Sequence, residues 1–175
     1  MNREIARAVG FANLSGADFS SFLSEDLAAG SALFETTNIA TARQMPAGDI
    51  LFLYTRFSTS GALDGTPDTG VRQVAQESRS KPLVVTSPIP EDTIQNAMSF
   101  PGPKTANLVF TLDRKGPAFT DFFHTLFERM RDGEDLFQAW VELAPRAPME
   151  TDHNPELVLL PEGGAVAFAP HRGQT

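Results

Sequence analysis

The chain is 175 residues long, 41% apolar and 21% charged, with a formal net charge of −8. That length suits one domain with a substantial core, and that charge disfavours a nucleic-acid surface or an anionic membrane, because Arg43, Arg56, Arg72, Arg79 and Lys81 are scattered and build no basic patch. There is no cysteine, which removes disulfides, thiolate metal sites and cysteine nucleophiles together.

The N-terminus Met1-Asn-Arg-Glu-Ile-Ala-Arg7 has no apolar core of the kind a signal peptide needs. No stretch approaches the roughly 18 apolar residues of a membrane span, so a cytoplasmic location is the expectation. In chain order, Glu4 to Phe11 reads as a helix or as a short strand ending at Gly10. Ser15-Gly-Ala-Asp18 offers helix-start chemistry, and Phe19, Phe22, Leu23 and Leu27 repeat at helical spacing until Gly30. Thr36-Thr-Asn38 is expected to cap a second helix over Ile39 to Gln44, ended by Pro46 and Gly48. Asp49 to Phe57 follows, a nearly continuous apolar run that reads as a strand buried on both faces.

Gly61, Gly65, Pro67 and Gly70, with Asp64 and Asp68, make residues 61–70 a turn-rich loop. Val71 to Ser80 suits a short helix and Lys81 to Ser87 a second strand. Pro88-Ile-Pro-Glu-Asp92 supplies a proline and acidic residues for the start of a helix over Thr93 to Ser99. Asn107 to Asp113 is a third strand. After Pro117, the residues Phe119, Phe122, Phe123, Leu126, Phe127 and Met130 form the apolar stripe of the longest helix. Gly133 interrupts it. Leu136 to Leu143, including Trp140, form another helix that stops at Pro145. Glu156 to Leu160 and Gly164 to Phe168 suit a hairpin or two short edge strands. Strands alternating with helices predict a single α/β domain over residues 1–175, with a mainly parallel central sheet and helices on both faces.

In such a sheet, ligands and catalytic groups collect at the C-terminal ends of the strands. The loop Ser58, Thr59, Ser60, Gly61 stands there and could cradle a small anion, as Ser/Thr/Gly loops do in flavodoxin-like proteins. Asp64-Gly-Thr-Pro-Asp68 intervenes before the next helix and adds negative charge. A serine nucleophile at Ser58, Ser60 or Ser87 would need a histidine base, for which His153 in the loop Asp152-His-Asn-Pro155 is the candidate, ahead of His124 and His171. No Gly-x-Ser-x-Gly elbow occurs. Asp64, Asp68, Asp152 and His153 are the loop residues with metal-ligand chemistry, but none has metal-ligand spacing, so no metal and no cofactor is expected.

Three stretches carry a family resemblance. Thr36-Thr-Asn-Ile-Ala40 followed by Pro46-Ala-Gly-Asp-Ile-Leu-Phe-Leu-Tyr54 looks like the helix and strand that precede the catalytic histidine of caspase-like cysteine peptidases, including the metacaspase and CHAT-domain branches. Pro82-Leu-Val-Val-Thr-Ser-Pro88 looks like the strand that delivers the catalytic cysteine. Asn107 to Leu112 with Phe119 to Pro145 resembles the last core strand and the following helical region. The resemblance covers about two thirds of the chain, from Thr36 onward. In that register Ser60 stands where the family has histidine, and Ser87 or Pro88 where it has cysteine. Without a thiolate and an imidazole, peptide hydrolysis of that kind does not run. The resemblance therefore implies a non-catalytic caspase-like domain that binds a protein partner through the loop rim of residues 58–70 and 87–92. Self-association into a homo-oligomer is the open alternative. A serine-dependent hydrolase using Ser60 or Ser87 with His153 is the second reading, and an anionic-ligand binder at Ser58 to Gly61 the third.

Overall fold

The computed structural model describes residues 4–41, 47–144 and 155–168. Within them the elements run β1 (Glu4–Ala6), β2 (Ala8–Asn13), α1 (Ser20–Gly30), β3 (Thr36–Thr41), β4 (Ile50–Tyr54), α2 (Val71–Ser78), β5 (Pro82–Val85), α3 (Glu91–Ser99), β6 (Asn107–Asp113), α4 (Ala118–Arg131), α5 (Leu136–Leu143), β7 (Glu156–Leu160) and β8 (Val166–Phe168). A 3-10 turn over Gly16–Phe19 leads into α1.

Six strands form one sheet in the order β3-β2-β4-β5-β6-β7. The first five are parallel, and β7 runs antiparallel to β6 at the edge. Taking β2 as the first strand, the parallel five have the order 2-1-3-4-5, which flavodoxin-like sheets share. The chain is a single α/β domain with a mostly parallel sheet, consistent with a caspase-like or a flavodoxin-like arrangement.

The apolar run at β4 explains the layering. Ile50, Phe52 and Tyr54 point to one face and Leu51 and Leu53 to the other, and all five are buried. On the first face Phe52 stacks on Phe11 of β2 at 5.2 Å and meets Phe123 and Phe127 of α4 edge-on. The α4 stripe buries Phe119, Phe123, Leu126, Phe127 and Met130 here, and Trp140 of α5 packs edge-on against Phe122. On the second face Leu51, Leu53, Leu83 and Val85 meet Val71, Val74 and Ala75 of α2 and Ile94 and Ala97 of α3. Helices thus cover both faces, as the alternating pattern predicts.

One expectation is overturned, and two open alternatives are decided: strand rather than helix at the N-terminus, and separate short strands rather than a hairpin at the C-terminal end. Thr36–Thr41 is a strand, not the cap and start of a helix, so the stretch likened to the family's helix is β3. Thr36, Thr37, Ile39 and Thr41 are β-branched, and β2 offers a parallel partner in register from Ala8–Thr36 to Asn13–Thr41. The N-terminal segment is extended and passes through Gly10 to Asn13. A side chain at Gly48 would lie 2.8 Å from the Gly10 nitrogen, so these two backbones meet without side chains between them. Finally, β7 and β8 do not pair with each other. The turn between them is held by Asn107, whose side chain donates to the Gly164 carbonyl and accepts from the Gly163 N–H, both at 2.8 Å. This directs β8 to a parallel pairing with β1 in a separate two-stranded sheet. Among the described residues no helix is long and apolar enough to cross a membrane.

Candidate functional site

The connections leaving β2 and β4 go to opposite sides, so the crevice between their C-terminal ends is the topological switch point. Its polar groups are engaged with one another. Asn13 closes a turn by accepting from the Ser15 N–H, the Ser15 hydroxyl accepts from the Arg56 N–H at 3.1 Å, and the Leu14 N–H reaches the Tyr54 carbonyl. Arg56 extends into solvent and pairs with Asp18 at 2.6 Å.

Ser87 stands beside this crevice and is fully buried. Its hydroxyl donates to the Thr55 carbonyl at 2.8 Å and lies 3.4 Å from the Thr55 N–H, which bridges the ends of β4 and β5. The Thr86 hydroxyl donates to the Leu53 carbonyl, and that of Thr111 to the Val85 carbonyl. These hydroxyls add side-chain bonds between the strand ends, the Leu53 carbonyl accepting from the Thr86 N–H at 2.9 Å as well.

Ser58, Thr59, Ser60 and Gly61 follow the same strand and form a closed turn. The Ser58 and Ser60 hydroxyls are 2.8 Å apart, the Ser58 N–H donates to Ala62, and the Gly61 N–H donates to Ser58. Gly61 sits at φ +87° against the backbone of Asn96 in α3, and the Asn96 amide donates to the Thr59 carbonyl. The loop therefore lies over the second face of the sheet. His124 is the one histidine among the described residues, and it lies on α4 over the first face, with Nδ1 3.5 Å from Glu128. The sheet separates it from Ser58 and Ser60. His153 lies outside the described residues, as do Asp152 and His171. Asp64, Asp68, Glu91 and Asp92 are exposed around the same rim. Among the described residues no three His, Asp or Glu gather in a metal-holding group.

Beneath this end of the sheet lies a charged network that the residue pattern did not single out. Asp26 is the only fully buried residue of α1. Its carboxylate accepts from the Tyr54 hydroxyl at 2.7 Å and from two nitrogens of Arg114 at 2.8 and 3.1 Å. The Arg114 guanidinium also reaches the Thr86 carbonyl and lies between the rings of Phe22 and Phe119, 4.2 and 4.0 Å from their centroids. Burial pushes the Asp26 carboxyl above the ordinary carboxylate range, and the Arg114 contact draws it back only in part. Burial and the Asp26 charge push the Tyr54 phenol up. A groove of about 630 Å³ opens above Arg114 between α1 and the start of α4, with Glu25 at its mouth. Asp26 carries one sequence signal: it shares the helical stripe of Phe19, Phe22, Leu23 and Leu27. Arg114, in a turn after β6, carries none.

No protein-family model matches the chain, and no curated protein is found to be similar to it.

Proposed function

We propose that the chain is a non-catalytic α/β domain of caspase-like descent that acts as a protein-interaction or scaffolding module. Its partner surface is the rim of residues 58–70 and 87–92. One observation carries this reading: the Thr86, Ser87 and Thr111 hydroxyls at the strand ends are buried against backbone carbonyls, while the rim around them displays acidic side chains. Ser87 is buried against Thr55, and Ser60 faces Ser58. A hydrolase needs a serine within reach of a base and near oxyanion donors, and the one described histidine is on the other face of the sheet. An anion site needs backbone N–H groups converging on one point; those of Ser58 and Gly61 are used inside the turn. Asp64, Asp68, Glu91 and Asp92 are exposed together with Thr59, Ser60, Pro88 and Pro90. Such a rim suits a basic protein surface, with association that weakens as salt rises.

Two measurements test the proposal. A fluorophosphonate probe is expected to leave the folded protein unlabelled. Labelling that disappears in Ser60→Ala or Ser87→Ala would instead make the chain a serine hydrolase. A partner captured by the native chain is expected to be lost by the variant carrying Asp64→Lys, Asp68→Lys, Glu91→Lys and Asp92→Lys. Undiminished capture by that variant, with a cooperative melt retained, would move the interface elsewhere.

A further inference from the structure

At the other end of the sheet, beside the N-terminal ends of the strands, lies a pocket of about 150 Å³. Ala6, Leu33, Phe34 and Phe168 form its apolar lining, and Arg7 and Arg131 line it as the cationic residues. Among the described residues neither guanidinium has an ion-pair or hydrogen-bond partner. Arg79 shares this lack of a partner but lies away from the pocket, whereas Arg56, Arg72, Arg114 and Arg129 are each paired with a carboxylate.

Arg7 is exposed, but its backbone position is fixed. It is the single residue between β1 and β2, and its backbone is bound on both sides. Its N–H donates to the Asp49 carboxylate at 2.7 Å, and its carbonyl accepts from the N–H groups of Glu35 and Thr36. Arg131 closes α4, where a cation suits the helix terminus. The floor is equally fixed: the Phe34 ring meets Phe168 at 5.0 Å and Phe127 at 5.3 Å, both edge-on. An apolar floor fixed in advance lowers the ordering cost of binding.

We propose that this pocket binds a small amphiphilic monocarboxylate, its carboxylate on Arg7 and Arg131 and its apolar part on Phe34 and Phe168. The charge argument favours a monoanion. Two guanidinium groups and the nearby Glu35 carboxylate leave one net positive charge in the lining, which a carboxylate balances and a phosphate dianion exceeds. Guanidinium groups match the planar carboxylate in shape as well as in charge. The volume argues for a short apolar group, since a dry cavity of comparable size holds about one benzene ring. The pocket and the acidic rim are at opposite ends of the strands, so the failure of either proposal leaves the other standing.

The test is a titration of the isotope-labelled full chain with hexanoate, read at the amides of Ala6, Leu33 and Phe34. Hexanol, acetate and inorganic phosphate serve as the separate arms. Saturable shifts with hexanoate are expected, with an apparent Kd below about 10 mM. Hexanol, acetate and phosphate should each bind at least about tenfold more weakly. The Arg7→Gln, Arg131→Gln variant should lose about tenfold or more in hexanoate affinity while keeping a cooperative melt. The proposal is overturned if hexanoate gives no saturable shift at these amides, if hexanol binds as well as hexanoate, if phosphate binds more tightly, or if the folded variant binds as the native chain does. Should the double variant fail to fold, Arg7→Gln and Arg131→Gln are read singly, and the hexanoate-to-hexanol ratio on the native protein decides the matter without any variant.

Discussion

Asp26 shows how one residue can hold a helix that has little else buried. In α1 the apolar residues Phe22, Leu23 and Leu27 are only half-buried, and the fully buried position carries a carboxylate. Removing its cation leaves an uncompensated buried charge, which typically costs about 3–5 kcal/mol. Arg114→Met is therefore expected to destabilise the chain by that order in denaturant unfolding. The loss should also depend on pH. Asp26 already has a raised pKa in the folded chain, so the native state holds its proton more tightly than the unfolded state. The stability this contributes is greatest in acid and falls as pH rises from the ordinary carboxylate range through the raised folded value. Without Arg114 the folded pKa moves further up, so Arg114→Met should lose more stability near about pH 8 than near about pH 4. An equal loss at both would show that Arg114 acts through packing alone. Tyr54→Phe removes one donor and leaves the ion pair, and should cost a smaller amount, about 1–3 kcal/mol.

At the level of elements, the loop after β4 is held to α3 by backbone approach. Gly61 and Gly65 both have positive φ, +87° and +79°, but their surroundings differ. A Cβ at Gly61 would fall 2.2 Å from the Asn96 carbonyl oxygen, whereas one at Gly65 would meet nothing within 4 Å. Gly65→Ala should lose about 1 kcal/mol from the left-handed backbone alone. Gly61→Ala should lose clearly more, because the loop must also lift off α3. Equal losses in chemical denaturation would mean that the loop yields without resistance. The sequence pattern places this loop and its glycines correctly. It does not reveal that the Ser58 and Ser60 hydroxyls face each other, because the turn that aligns them depends on contact with a helix 35 residues further on, at Asn96 (96 minus 61).

Across the whole molecule, Arg72 performs the corresponding task on the second face. It joins the first turn of α2 to the β7–β8 turn by a two-pronged contact with Glu162 at 2.7 and 2.9 Å. It also donates to the carbonyls of Met98 and Phe100 at the end of α3, each at 2.7 Å. Both partners' side chains are more than nine-tenths buried. Glu162→Gln keeps the shape and weakens one contact, whereas Arg72→Met strands a carboxylate and two carbonyls together. Arg72→Met should therefore be the more damaging of the two by at least about 1 kcal/mol in thermal or denaturant unfolding. The reverse order would mean that the carbonyl contacts contribute little.

The sequence by itself determined the alternation of strands and helices, the double burial of β4 and the aromatic stripe of α4, because each is written in the spacing of apolar residues within one element. It also determined that cysteine chemistry is absent. Only the tertiary structure decided the rest. Thr36 to Thr41 carries both helix-cap and β-branched signals, and pairing with β2 settled it as a strand. The sheet order and the antiparallel edge strand β7 were likewise matters of partner choice. Asp26 meets Arg114 across 88 residues and Arg72 meets Glu162 across 90. A local pattern holds no record of such meetings, since a buried charge finds its counter-charge through the packing of whole elements.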